Sequence, residues 1–177
     1  MIYTKEASGI KDIKSLPPLK PPNGAGAYWQ GVHHLELLNM LKQEAEKHAC
    51  VLDNLNCWLG QDGSNMVASY DLWSPNFPEL NNEAASYLTF SLAVMNSNCR
   101  DFSMTMYGGV RLKSEAGLPM REYWLGKHTN RERLQKEIHL AVKTFYHDCS
   151  NIRREICNLK KTMVEAEHVW IILTSAG

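Results

Sequence analysis

The sequence predicts an α+β fold, in which a mainly antiparallel sheet packs against helices and a long C-terminal helix or helical hairpin follows. Three observations predict it. Residues 102–112 alternate apolar with polar side chains, which is typical of a strand with one buried face. Turn-forming residues separate this run from other β-compatible runs before it. Finally, a helical pattern without glycine or proline extends from Thr129 to Val169.

Composition indicates one domain with an ordinary charge balance. The chain has 177 residues, of which 44% are hydrophobic, and this is enough for a single core with some peripheral structure. Its 19 basic and 19 acidic residues cancel. A DNA mimic would be strongly acidic, and a dedicated nucleic-acid-binding protein is usually strongly basic, so neither class describes the whole chain.

The cysteines and the first residues predict a soluble cytoplasmic protein. The five cysteines are an odd number and contain no CxxC pair, which is typical of thiols in a reducing compartment. The sequence MIYTKEASGIKD lacks the apolar segment of a signal peptide. No apolar run approaches the roughly 20 residues of a membrane span.

Three regions follow from composition and periodicity. Residues 1–31 include the proline-rich stretch LPPLKPPNGAG, which predicts an extended N-terminal arm. Residues 32–145 form the predicted α+β core domain. Residues 146–177 form a predicted helical extension that could serve in assembly.

The first predicted helix covers residues 32–50. Its shared apolar face consists of Leu35, Leu38, Leu41 and Ala45, which recur at spacings of three and four. The paired histidines in its first turn are interpreted as surface residues, because neighbouring helical side chains point about 100° apart and do not converge on a metal. No metal or cofactor site is predicted anywhere in the chain.

Two β-hairpins are predicted after this helix. In the first, runs at 55–59 and 66–72 flank the turn sequence GQDGSN, in which glycine supplies positive φ. In the second, runs at 87–95 and 102–112 flank the polar NSNCRD. The pair Gly108-Gly109 inside the last run predicts a bulge or a close backbone approach.

The C-terminal helix should begin with a capping box in which the Thr129 hydroxyl caps the helix and Glu132 reaches back. From residue 145 its apolar positions recur in alternating steps of four and three, which is a heptad-like seam. The pattern is compatible with one helix or with two that break near Ser150. A projecting seam predicts a homo-oligomer through residues Phe145, Ile152, Ile156, Leu159 and Met163.

The order of these features resembles the phage/plasmid-like family of unknown function over about residues 24–145. The residues that carry the resemblance are the paired histidines, the hairpin with Asp62-Gly63, Asn96-Ser97, Gly109-Val110-Arg111 and Lys127-His128-Thr129. The resemblance implies an α+β fold, a mobile-element origin and a bacterial host cytoplasm. It implies no reaction.

This chain departs from the family's motifs at two places. Where the family has histidine and aspartate after asparagine-serine, this chain has Asn98 and Cys99. The stretch LKSEAG replaces the family's cysteine-asparagine pair. Any activity carried by those residues in relatives should therefore be lost or changed here.

One polar cluster is predicted as a ligand or nucleic-acid site. Asparagine, arginine, lysine and histidine together combine positive charge with directional donors, which suits a phosphate or a nucleotide. The predicted site residues are Asn96, Ser97, Arg111, Lys127 and His128. No catalytic residue is assigned, because no Walker sequence, nucleophile elbow or GxGxxG is present.

Three functions remain open on the sequence alone. The favoured one is a non-enzymatic phage or mobile-element accessory protein that binds and modulates a host protein, such as a defence or nucleic-acid-processing protein. The first alternative is nucleic-acid or nucleotide binding, because basic residues outnumber acidic ones between residues 130 and 161. The second alternative is an enzyme acting on a phosphate-bearing substrate.

Overall fold

The computed structural model describes residues 5–7, 13–16, 18–25, 29–60, 63–77, 88–112, 118–126 and 130–161. Their elements are, in chain order, β1 (Lys5–Ala7), α1 (His34–Lys47), β2 (Val51–Gly60), β3 (Asn65–Trp73), β4 (Leu88–Ser97), β5 (Met104–Leu112), β6 (Leu118–Gly126) and α2 (Arg131–Lys161).

The strands form one antiparallel sheet in the spatial order β1-β2-β3-β4-β5-β6, so that each long strand pairs with the next one in the chain. Helices α1 and α2 complete an α+β fold, which confirms the predicted fold class. Strands β2 and β3 contain the predicted runs at 55–59 and 66–72 and extend them at both ends. Strands β4 and β5 overlap the runs at 87–95 and 102–112, but β5 begins at Met104, two residues later than predicted.

Strand β6 has no counterpart among the predicted strands. Pro119 is its second residue and pairs with Gly109, beside an irregularity in the register between Gly108 and Gly109. Proline removes a ladder donor, so it is tolerated at a strand start and on the edge that β6 forms in this sheet. The buried Tyr123 and Leu125 provide the alternation that marks the strand.

One face of the sheet is covered and the other is largely open. The side chains of Ala68, Tyr70, Leu92 and Val94 are at most 1% exposed, whereas their neighbours along the strands are partly exposed. Alternate residues on a strand point to opposite faces. The buried set forms one core cluster with the apolar side chains of α1 and α2.

Helix α2 is a single helix of 31 residues, so it does not break near Ser150. The Ser150 hydroxyl donates to the Tyr146 carbonyl at 3.0 Å, which lets serine remain inside the helix. The last fully buried side chain described on α2 is Cys149. About 18 Å of helix therefore follows that residue, at 1.5 Å per residue. No helix in the described ranges is long and apolar enough to cross a membrane.

The start of α2 differs from the predicted capping box. The Asn130 side-chain Oδ1 accepts a hydrogen bond from the Arg133 N–H at 2.9 Å, and the Asn130 carbonyl accepts from Leu134 N–H. Asn130 is thus the N-cap residue, whereas Thr129, the predicted N-cap, lies outside the described residues. Asparagine caps helices at least as well as threonine, so the sequence motif allowed both.

The predicted N-terminal arm contributes to the core. Ile13 is fully buried in the core cluster, and Leu16 packs at its margin. The segment after β3 also contributes to the core through the buried Phe77, whose ring lies 5.9 Å from that of Phe90 and 5.4 Å from that of Tyr146. Burial of these side chains ties irregular segments to the sheet and helices.

Candidate functional site

Four polar residues are buried where two strands end. Asn96 and Ser97 close β4, Asn98 follows them, and Asn65 opens β3. All four are at most 4% exposed. Asn65 pairs with Ser97 in the antiparallel register, so the turn before β3 and the turn after β4 lie at the same end of the sheet. The start of α1 lies against that end.

Asn96 fixes the histidine that begins α1. Its amide Nδ2 donates to the Val32 carbonyl at 2.9 Å and lies 2.9 Å from His34 Nδ1. His34 Nε2 lies 2.8 Å from the Gly63 carbonyl, which can only accept. The ring therefore carries its proton on Nε2 and accepts at Nδ1. Turning the Asn96 amide over would place Oδ1 against the Val32 carbonyl, so the orientation follows from the network.

The Asn98 side chain hydrogen-bonds both backbone groups of Val32, as a neighbouring strand would. Its Oδ1 accepts from the Val32 N–H at 3.2 Å, and its Nδ2 donates to the Val32 carbonyl at 3.1 Å. The backbone N–H of Asn98 donates to the Ser64 carbonyl at 2.8 Å. Asn98 thus joins the β2–β3 turn to the start of α1, and all of these groups are used within the fold.

A second group of contacts shapes the turn between β4 and β5. Asn65 Nδ2 donates to Asp101 Oδ2 at 2.8 Å, and Asn65 Oδ1 accepts from the Cys99 thiol at 3.1 Å. The Asp101 N–H donates to Ser97 Oγ at 2.9 Å. Arg100 adopts a φ of 71° in this turn, and its guanidinium donates to the Gly24 carbonyl at 2.9 Å. These contacts give Ser97 a structural role.

Among the described residues of the predicted site, Arg111 lies far from Asn96 and Ser97. Arg111 lies opposite Thr89 near the start of β4, whereas Asn96 lies seven residues further along that strand. At about 3.3 Å per residue, roughly 23 Å separates the two backbone positions. Lys127 and His128 lie outside the described residues. Asn96 and Ser97 are therefore the described members that share one location.

A cleft of about 460 Å³ lies beside the buried network. Its lining residues are Leu16, Pro18, Leu19, Lys20, His33, His34, Gly63, Ser64 and Asn98. The paired histidines were predicted to be surface residues, but His34 is 1% exposed and belongs to the network. The position of both histidines directly before an apolar helical pattern was the one sequence signal for this cleft.

The predicted oligomer seam is partly used inside the chain. Phe145 is fully buried, and a Cβ placed on Gly108 would meet its ring at 2.4 Å. Ile152 packs against the margin of the core. Ile156 and Leu159 belong to α2, in a part of the helix whose side chains are not described, and Met163 lies outside the described residues. Self-association through the later positions stays a prediction.

A charged cluster joins the two helices. Glu44 on α1 has a side chain only 5% exposed, and its two oxygens lie 2.6 Å from Lys47 Nζ and 2.6 Å from His139 Nδ1 on α2. Burial alone would raise the pKa of the Glu44 carboxyl. Hydrogen bonds from Lys47 and His139 outweigh that effect and hold the pKa below its usual value of 4.5.

This shift predicts a pH-dependent effect of Glu44→Gln. Since the folded-state pKa is depressed, the ionised carboxylate stabilises the fold above the unfolded-state value, and this contribution is lost as pH falls through the folded-state pKa. We expect the variant to be less stable than wild type by about 1–2 kcal/mol at neutral pH, with a smaller difference in acid. Urea unfolding of both proteins at neutral and at acidic pH measures this difference in the free energy of unfolding. Glu46→Gln, at an exposed position of the same helix, is the control and should show no such trend.

In the parts of the chain that the structure describes, no group of three or more His, Cys, Asp or Glu side chains is placed to hold a metal ion. The cysteines at 50, 57, 99 and 149 form no disulfide within the described residues. Comparisons of the chain with family models, curated proteins and solved structures each give no match. The resemblance to the phage/plasmid-like family therefore stays a prediction from motifs.

Proposed function

We propose that this protein is a non-enzymatic accessory protein of a phage or mobile element, and that it binds and modulates a host protein. The observation that supports this most directly is the outer face of the sheet, opposite the two helices. We call it the open face and define it by six residues: Val51, Trp58, Val67, Trp73, Met95 and Trp124.

A row of paired residues crosses five strands on the open face, and within it Thr105 is buried at 6% exposure. Trp58 lies opposite Val67, which lies opposite Met95. Met95 lies opposite Thr105, which in turn lies opposite Trp124. With about 4.8 Å between neighbouring strands, the row spans about 19 Å. Such a strip is wide enough for a protein segment to rest on.

The exposed apolar side chains of the described residues concentrate on this face. Val51 is 48% exposed, Trp73 is 46% exposed and Trp124 is 45% exposed. The remaining large exposed apolar side chain described is Leu140 on α2, at 58%. Val51 and Trp73 are register partners at one end of the face, and Trp124 lies at the level of Val67, six residues along β3 from Trp73. Exposed apolar side chains mark interaction surfaces, and tryptophan is the residue most enriched at binding hot spots. Their placement on one face favours a protein partner.

The charges around the open face favour a partner with basic side chains. Asp53 pairs with Asp71 in the register, and both occupy the outer face, as does Glu122 opposite Tyr107. Negative side chains on this face would repel nucleic-acid phosphates. They would attract lysine or arginine at the rim of a protein interface. This agrees with the acidic middle of the sequence, which lacks lysine and arginine between residues 48 and 99.

The nucleic-acid alternative loses support near the start of α2. Arg131 forms an ion pair with Glu36, and Arg133 lies 3.7 Å from Glu137 while its guanidinium lies over the Trp124 ring. Basic side chains that already have acidic partners release fewer counterions from a nucleic acid. Nucleic-acid binding is therefore the less favoured function, and the capture experiment below distinguishes it from protein binding.

The test is affinity capture from a bacterial lysate with matched variants. We expect a captured protein to be retained by the wild type and to bind at least about tenfold more weakly to Trp73→Ser and to Trp124→Ser, because each change removes a half-exposed aromatic anchor. Leu140→Ser removes an equally exposed apolar side chain from α2 and should leave retention unchanged. Quantitative mass spectrometry measures retention.

Two results would contradict this proposal. Retention that is equal in all variants would place the partner surface elsewhere. Retention that disappears after nuclease treatment or at high salt would favour the nucleic-acid alternative. Thermal unfolding of each variant shows whether the fold persists, so that loss of binding is not confused with loss of structure.

A further inference from the structure

The cleft beside the start of α1 has two different walls. Leu16, Pro18 and Leu19 form an apolar wall from the N-terminal segment. His33, His34, Ser64 and Asn98 form a polar wall, and the exposed Lys20 also lines the cleft. A volume of about 460 Å³ lies in the range of small-molecule sites, and such sites are mainly apolar with a few placed polar groups.

Two residues of the polar wall, His34 and Asn98, already have hydrogen-bond partners within the fold. Both ring nitrogens of His34 are occupied by Asn96 and by the Gly63 carbonyl. The Asn98 amide is occupied by both backbone groups of Val32. These residues hold the wall in one arrangement, and a ligand would not need to reorder them. Such preorganisation reduces the entropic cost of binding.

The groups left to meet a ligand are donors. His33 Nδ1 accepts from the Leu35 N–H at 3.3 Å, so the proton of the neutral ring is on Nε2 and this nitrogen can donate. The Lys20 ammonium and the Ser64 hydroxyl provide further donors. Among the described residues that line the cleft, none has a carboxylate. The cleft therefore suits an anion.

The direction of α1 adds to this preference. His33 is the N-cap of this 14-residue helix, so the cleft lies at the helix end where the backbone dipole is positive. A doubly charged anion gains more from a lysine and a helix N-terminus than a singly charged one does. Phosphate also offers three acceptor oxygens for the three donors.

We infer that this cleft binds a small phosphate monoester with an apolar or aromatic body. The phosphate contacts Lys20, His33 and Ser64, and the apolar body packs against Leu16, Pro18 and Leu19. This site is separate from the open face on which the proposed function rests. Binding of the monoester requires no catalysis, since it uses only donors and apolar contact.

Isothermal titration of the full chain with phenyl phosphate tests the inference. We expect saturable binding of phenyl phosphate, and weaker binding of inorganic phosphate, phenol and benzoate. Lys20→Met and His33→Asn should each weaken phenyl phosphate binding about tenfold or more. Asparagine can still cap α1, so His33→Asn removes the ring donor while the helix start is kept.

Two control variants separate the site from its surroundings. Lys14→Met removes an exposed lysine of the same segment that does not line the cleft, and its affinity for phenyl phosphate should equal that of wild type. Trp124→Ser should also bind phenyl phosphate normally, because the open face is a different surface. A failure of the host-protein proposal is thereby distinguishable from a failure here.

The inference is overturned if wild type shows no saturable binding at millimolar phenyl phosphate. It is equally overturned if Lys20→Met and His33→Asn both bind as wild type does. Benzoate binding as tightly as phenyl phosphate would reject the phosphate assignment. Phenol binding as tightly would show that the cleft recognises only the apolar body.

Discussion

Gly108→Ala is expected to lower the free energy of unfolding by about 1–3 kcal/mol. The added Cβ would lie 2.4 Å from Cδ2 and 2.6 Å from Cε2 of the Phe145 ring, and that ring is fully buried between α2 and the sheet. By conformational entropy alone, alanine in a strand would stabilise by about 0.5–1 kcal/mol relative to glycine. The sign of the measured change therefore decides whether the close approach dominates.

Urea unfolding of Gly108→Ala, Phe145→Leu and the double variant provides the measurement. Phe145→Leu by itself destabilises because it removes buried ring atoms. In the double variant the smaller side chain makes room for the new Cβ, so the combined loss should be smaller than the sum of the two single losses. Strict additivity, or an increase in stability for Gly108→Ala, would contradict the packing described here.

Asn96→Leu is expected to lower the free energy of unfolding by about 1–3 kcal/mol. Leucine cannot donate to His34 Nδ1 or to the Val32 carbonyl, and both contacts are buried at 2.9 Å. Val32 keeps its bond from Asn98, but His34 Nδ1 would lose its donor in a site that is 1% exposed. A buried polar atom left without its partner costs about 1–3 kcal/mol.

This experiment includes a matched control variant and a double-mutant cycle of Asn96 with His34. Asn56→Leu makes the same chemical change at an exposed position of β2 and should alter stability by only about 0.5 kcal/mol or less. Asn96→Leu/His34→Leu removes both partners and should cost less than the sum of the single variants. Nitrogen chemical shifts of His34 in the wild type should report the Nε2–H form, and an Nδ1–H form would refute the network.

Local periodicity was enough to predict four of the strands in the middle of the chain. The runs at 55–59 and 66–72 lie within β2 and β3, and those at 87–95 and 102–112 overlap β4 and β5, because alternation and turn chemistry act over a few residues. The paired glycines 108 and 109 mark both a register irregularity and the close approach of Phe145, as their presence in a strand predicts.

The candidate site was only partly predictable from sequence. Asn96 and Ser97 could be selected as polar residues at the end of an apolar run. Their structural role could not be predicted, because Asn96 contacts His34 and Val32, which lie more than 60 positions earlier in the chain. Arg111 was predicted as a partner because it adds positive charge and directional donors to the asparagine. The antiparallel register places it at the opposite end of β4 from Asn96.

By itself, the sequence determined the α+β class, the strands β2 to β5 and the two helices, since these follow from side-chain spacing along a short stretch. Only the tertiary structure decided that β6 joins the sheet, that Ile13 and Phe77 enter the core, and that His34 is buried. The cleft and the open face also belong to that second group. Each depends on which strand ends and faces meet, and long-range pairing and burial set this at positions far apart in the chain.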